Sequence, residues 1–159
     1  MTIQQLQQEF EQLINETVKE AKAFGIAVAT IHTDINERVF EDGVDATGAK
    51  IGTYSTKPGR FAKPGSRDSK YYPGGYREFK ADIGKESSFV NLELSGNLKM
   101  DFSTGLRKVS PLKYQIAVSQ QVNAEIIEGM EAKYSTPIFE ASEAEQDKLI
   151  RLIYENTDI

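Results

Sequence analysis

A chain of 159 residues with no cysteine, 39% hydrophobic residues and a net charge of −5 fits one globular domain, and it excludes disulfides, thiol nucleophiles and thiolate metal sites. The one histidine, His32, leaves catalytic triads and multi-histidine zinc centres short of parts. No window approaches the roughly 20 apolar residues that span a bilayer, and MTIQQLQQEF has neither the basic stretch nor the apolar run of a signal peptide. The expected setting is therefore the cytoplasm, or a particle assembled there, with no membrane contact.

Ile3, Leu6, Phe10, Leu13, Ile14, Val18, Ala21 and Phe24 recur at spacings of three and four, which predicts an amphipathic helix over 3–24 with Gly25 as its stop. Val28, Ile31, Ile35 and Val39 keep helical spacing and predict a second helix over 26–40. Asp42 and Gly43 open a turn. The DGVDATG stretch, 42–48, has a superficial likeness to a calcium loop, but its alternate positions Asp42, Val44 and Ala46 do not supply oxygen ligands, and it reads as a plain turn. A short strand is expected over 51–55.

The charge is unevenly spread. Between 57 and 80, seven basic residues face Asp68 and Glu78, a local surplus of +5 on a remainder of −10. KPG, KPGS and YPGG fill this region with turn formers, so an exposed arm at about 56–75 is expected, without a regular element and with too few apolar residues to be buried on its own domain. The candidate contact residues are Lys57, Arg60, Phe61, Lys63, Arg67, Lys70, Tyr71, Tyr72 and Arg77. Arginine and tyrosine supply contact energy against an acidic protein neighbour, whereas cations screening phosphates and rings stacking on bases describe a nucleic-acid contact; the bland alternative is a solvated loop. No nucleic-acid motif accompanies the charge, so protein docking ranks first and DNA contact second. Residues 59–66 lack the terminal Gly-Lys-Ser/Thr of a phosphate loop.

Tyr76, Phe79 and Ile83 predict a short helix ending at Gly84. Leu98, Met100 and Phe102 alternate with polar residues, as do Tyr114, Ile116 and Val118, which predicts an antiparallel strand pair joined by a turn holding Gly105 and Pro111. Val122, Ile126, Ile127, Met130 and Tyr134 return to helical spacing. Ser142 and Glu145 form a capping box at the start of the last helix, with Leu149, Leu152 and Ile153 on its inner face; the nearby Glu140 and Glu143 suit the positive end of its dipole. His32 has no visible partner and reads as a hydrogen-bonded or surface residue. The expected class is α+β, one domain over 1–159: N-terminal helices, a small antiparallel β-sheet carrying a long basic arm, and a C-terminal helix packed on the sheet. No nucleophile, base and oxyanion set can be assembled, so the expectation is a protein that is not an enzyme, with no catalytic, cofactor-binding or metal residue assigned.

Two passages carry a resemblance. Gly75-Tyr76-Arg77-Glu78-Phe79 and Gly84 precede Val90-Asn91-Leu92-Glu93-Leu94-Ser95-Gly96-Asn97-Leu98; Glu131-Ala132-Lys133-Tyr134 precedes Ile138-Phe139-Glu140-Ala141-Ser142-Glu143-Ala144-Glu145. Together they resemble the bacteriophage virion-morphogenesis family of tail-completion, neck and tail-terminator-like proteins. The tryptophan often found in that family after the second helix is absent here, and the basic arm is unusually long. The resemblance implies a structural virion protein at the head–tail junction, a protomer of a ring of six or twelve copies between portal or adaptor proteins and the tail tube or terminator. The matching residues also make physical sense: Ser95-Gly96 permits a tight entry into the expected Leu98 to Phe102 strand, and Ile138-Phe139 is expected to anchor the connection to the capped last helix.

Overall fold

The computed structural model describes the backbone of residues 3–157 and the side chains of residues 7–157. The class is α+β. Helices α1 (Ile3–Phe40), α2 (Gly75–Asp82), α3 (Asn97–Ser103), α4 (Gln121–Tyr134) and α5 (Glu143–Thr157) accompany two antiparallel hairpins, β1 (Gly59–Ala62) with β2 (Ser69–Tyr72) and β3 (Leu106–Ser110) with β4 (Lys113–Ile116).

The two predicted N-terminal helices are one uninterrupted helix of 38 residues. The apolar positions stay in phase across Gly25, and a glycine inside a helix costs only about 1 kcal/mol relative to alanine, too little to end it. Gly25 instead makes room: a Cβ there would lie 2.4 Å from the Tyr114 hydroxyl, and Tyr114 packs its ring 5.7 Å from that of Phe24. The second hairpin is thereby seated on the helix. The side chains of Ile3 and Leu6, the first members of the predicted stripe, lie outside the described residues.

The C-terminal part of α1 builds the core. Ile31, Ile35, Val39 and Phe40 close against Ile51, Val90, Leu98, Phe102 and Ile138, with Phe139 packed on Phe40 and Phe102 at 5.9 and 5.1 Å. The anchoring role expected of Ile138-Phe139 is therefore met. Helix α5 runs along α1, where a packing partner in the sheet was expected; two short hairpins offer no face wide enough for a helix of 15 residues. Leu149, Leu152 and Ile153 form its half-buried stripe as predicted. The capping box is present in both directions, Glu145 N–H donating to Ser142 Oγ at 3.2 Å and Ser142 N–H to Glu145 Oε2 at 2.7 Å.

The predicted strand at Leu98, Met100 and Phe102 is helix α3. Leu98 and Phe102 are buried while Met100 is 62% exposed, so the operative spacing is four and not two. Gly96, at φ +85°, supplies the tight entry, into a helix. The partner of β4 is β3, a stretch read from sequence as turn, and the actual turn is at Pro111 and Leu112. Residues 51–55 form no strand: Ile51 is drawn into the core, and only Val44 and Lys50 make a bridge. His32 is buried, its Nε2–H donating to the Phe102 carbonyl at 2.8 Å, which ties α1 to the end of α3.

Candidate interaction surface

The basic segment is a folded hairpin, contrary to the expectation of an irregular arm. Its ladder pairs Gly59 with Tyr72, Arg60 with Tyr71, Phe61 with Lys70 and Ala62 with Ser69. Strand alternation sends Phe61 and Tyr72 inward onto α2, where Phe61 meets Tyr76 at 5.2 Å and Phe79 at 5.5 Å, and Tyr72 meets Phe79 at 5.4 Å. Tyr72 is only 2% exposed. These aromatic contacts offset the turn-forming composition, and they make Phe61 and Tyr72 internal anchors, not contact residues. The Tyr72 hydroxyl also donates to Asp82 Oδ2 at 2.8 Å, which pushes the phenol up and, helped by Lys70, holds the Asp82 carboxyl down.

The hairpin's base is closed by a backbone contact. Gly75 sits at φ +72° with the carbonyls of Ser55 and Lys57 so near that a Cβ would fall 2.6 and 2.4 Å from them, and Arg77 N–H donates to Ser55 O at 3.1 Å. Only glycine has both the conformation and the room.

Lys57, Arg60, Lys63, Arg67, Lys70, Tyr71 and Arg77 are exposed as predicted. Arg60 and Tyr71 stand opposite each other on the outward face, the guanidinium braced on the Ser69 carbonyl at 2.9 Å. Lys63 and Arg67 lie in the connecting turn, and Lys70 pairs with Asp82 at 3.7 Å. Lys80, counted from sequence in the same basic run, is 1% exposed: its ammonium donates to Glu93 O and Asn91 Oδ1 and lies 4.8 Å from the centre of the Tyr54 ring. Burial pulls its pKa down. The sequence signal for this burial is its spacing of four from Tyr76, on the inner face of α2.

Two further features escaped the sequence. A groove of about 530 Å³ lies between α4 and the 90–98 segment, walled at one end by Tyr54 and Tyr76. Val122 and Ile126, one turn apart on α4, remain exposed on it. Leu92, also on the groove, holds a left-handed backbone at φ +53°, a conformation costly for a branched side chain, between Val90, buried in the core, and the Lys80 carbonyl contact at Glu93. The second feature is on α1. Every residue from 7 to 20 is exposed, so Phe10, Leu13, Ile14 and Val18, members of the apolar stripe read from sequence, are left uncovered on a part of α1 that projects from the core.

The acidic groups that stand out are structural. Asp45 accepts from Thr47 N–H and Oγ1, Ala49 N–H and Thr136 Oγ1, so the 42–48 stretch is a turn pinned to the start of the 136–140 connection. Asp101 accepts from Asn123 Nδ2, from Ser119 N–H and Oγ, and from Gln120 N–H, and so caps α4 from a neighbouring helix. Among the described residues no group of three or more His, Asp or Glu side chains is arranged to hold a metal ion, and no helix is long and apolar enough to cross a membrane. No protein-family model, curated protein or solved structure matches the chain.

Proposed function

We propose that this chain is a non-enzymatic assembly protomer of a bacteriophage head–tail junction, forming a ring between portal or adaptor proteins and the tail. The observation that carries the reading is the apolar stripe of Phe10, Leu13, Ile14 and Val18, exposed along a helix that extends out of the core. Exposed apolar surface of this extent is characteristic of chains whose surface is completed by partners. The basic hairpin, held out by its own aromatic anchors and turned so that Arg60 and Tyr71 face outward, supplies a second contact of complementary sign to the acidic remainder. The passages at 75–98 and 131–145 that resemble the virion-morphogenesis family support the station at the junction.

The test is reversal of Arg60, Lys63 and Arg67 to glutamate in a phage encoding this chain. Micrographs should show full heads and separate tails, while the purified variant melts within a few degrees of the parent. Normal joining by a folded variant overturns the docking role of the hairpin.

A second reading has one specific observation behind it, since an arginine beside an exposed tyrosine also suits a nucleic-acid strand. Binding to DNA that weakens steeply with added salt would favour it, because each phosphate contact releases counterions. Binding that is absent at low salt would remove it.

A further inference from the structure

We propose that the projecting part of α1 seats its apolar stripe in the α4 groove of a second copy of this chain, a contact that rests on the assembly reading above and gives it a joint. Three observations meet here. The stripe and the groove are both apolar and both open: Phe10, Leu13, Ile14 and Val18 on one side, Leu94, Val122, Ile126 and Met130 on the other. An amphipathic helix laid in such a groove, with anchors at spacings of three and four, is a recurring mode of recognition.

Charge sets the partner. Glu9, Glu16 and Glu20 recur at intervals of seven and four, which places them in one row along one edge of the stripe, and residues 7–20 carry a net charge of −3. Two copies pairing stripe to stripe would bring two such acidic helices together. The groove offers the opposite sign: its end wall, Tyr76, is shared with the base of the basic hairpin through Phe61 at 5.2 Å, and Lys133 lies on its margin. A helix seated there with its acidic edge toward Tyr76 is drawn to the cations next to it, Arg77 following Tyr76 in the chain and Lys57 at the hairpin's base against Gly75.

Reach excludes the chain's own groove. Leu98 of the groove belongs to the same core as Ile31, and Phe10 lies about 30 Å from Ile31 along the axis of an unbroken helix. The helix of one copy must therefore enter the groove of another; reciprocal exchange would close a two-fold pair, and passing the second helix on to a third copy gives the heterologous contact that a ring requires. Such a heterologous contact generates a ring if its rotation closes and a filament if it does not.

The absence of native cysteine makes the test direct. Ile14→Cys and Ile126→Cys variants, both altered at exposed positions and one of them carrying an added tag so that a mixed pair differs in mass from either like pair, are mixed, oxidised mildly and resolved by mass. A disulfide-linked pair containing one of each variant is expected, with far less product from either variant alone. A chain carrying both substitutions should give a ladder of multimers, and changing Glu9, Glu16 and Glu20 to lysine should reduce the yield at least about tenfold, the loss of about 1.4 kcal/mol. Self-linking of Ile14→Cys as efficient as the mixed product overturns the proposal in favour of stripe-to-stripe pairing. Absence of the mixed product at about 1 mM chain, where even a weak contact is populated, overturns it outright. Neither outcome depends on heads or tails, so failure here is distinguishable from failure of the junction assay.

Discussion

Arg38 and Glu145, 107 positions apart in the chain, meet at two points, Nε to Oε1 at 2.8 Å and Nη2 to Oε2 at 3.3 Å. The remaining guanidinium donors reach the carbonyls of Val44 and Ile138, each at 3.1 Å, and of Glu140 at 2.7 Å. One side chain thus fastens α1, the 42–48 turn, the 138–140 connection and α5. Arg38→Met strands a largely buried carboxylate and three carbonyls, and should cost about 3 to 5 kcal/mol in denaturant melts. Adding Glu145→Leu should recover part of that loss, because the unpaired charge is then gone.

Acid should destabilise the fold through a small set of carboxylates. At Glu145 and Asp45 burial favours the neutral form, but the Arg38 contact and the threonine and backbone donors outweigh it, so both pKa values are lowered. At Asp101 the donors from Asn123 and Ser119 hold the carboxyl far below its usual range. A lowered folded-state pKa contributes stability that is present above the unfolded value of about 4 and is lost as pH falls toward the folded value. Melts should therefore weaken progressively below about pH 4. Asp101→Asn should flatten this acid limb while lowering stability at neutral pH; an unchanged acid limb would show that Asp101 is not among the groups responsible.

The start of α5 can be separated from its packing. Ser142→Ala removes one half of the capping box and should cost about 1 kcal/mol. Leu149 is half-buried against the core, so Leu149→Ala should cost about 2 kcal/mol, at the low end for a core leucine. Equal effects of the two substitutions would contradict the packing of α5 on α1.

Gly75→Ala should open the basic hairpin selectively, since it meets both an unfavourable backbone conformation and two carbonyls. In brief trypsin digestion the parent should be cut at Arg67 in the connecting turn, since Pro64 blocks cleavage after Lys63. The variant should be cut also at Arg60 and Lys70, inside the ladder, while α1 and α5 stay protected. An identical cleavage pattern would mean that the base contact does not hold the hairpin.

Helical spacing made α2, α4 and α5 legible, and the Ser142 box was readable residue by residue. The errors share a cause: local pattern does not reveal what lies opposite. Leu98 and Phe102 fit both periods, and only the burial of Asp101 between them, with Met100 left outside, decides for a helix. Gly25 reads as a stop until Tyr114 is placed against it. Among the candidate contact residues, composition marked the exposed cations but could not separate Tyr71, facing outward, from Tyr72, facing α2, because that choice is set by the register of the ladder. The groove was invisible for the same reason, being assembled from segments far apart in sequence.

Because α1 runs without a break from Ile3 to Phe40, the direction in which its outer end faces is fixed by the core at its other end. Each residue advances the helix by about 1.5 Å and turns it by about 100°. One residue inserted between Glu20 and Ala21 would hardly change how far Phe10 extends, yet would swing it a quarter of the way round the axis. Seven inserted residues would carry it about 10 Å further while nearly restoring its heading. The helix therefore behaves as a dial more than as a tether: length can be added in steps of whole turns, and alignment is lost well before reach is.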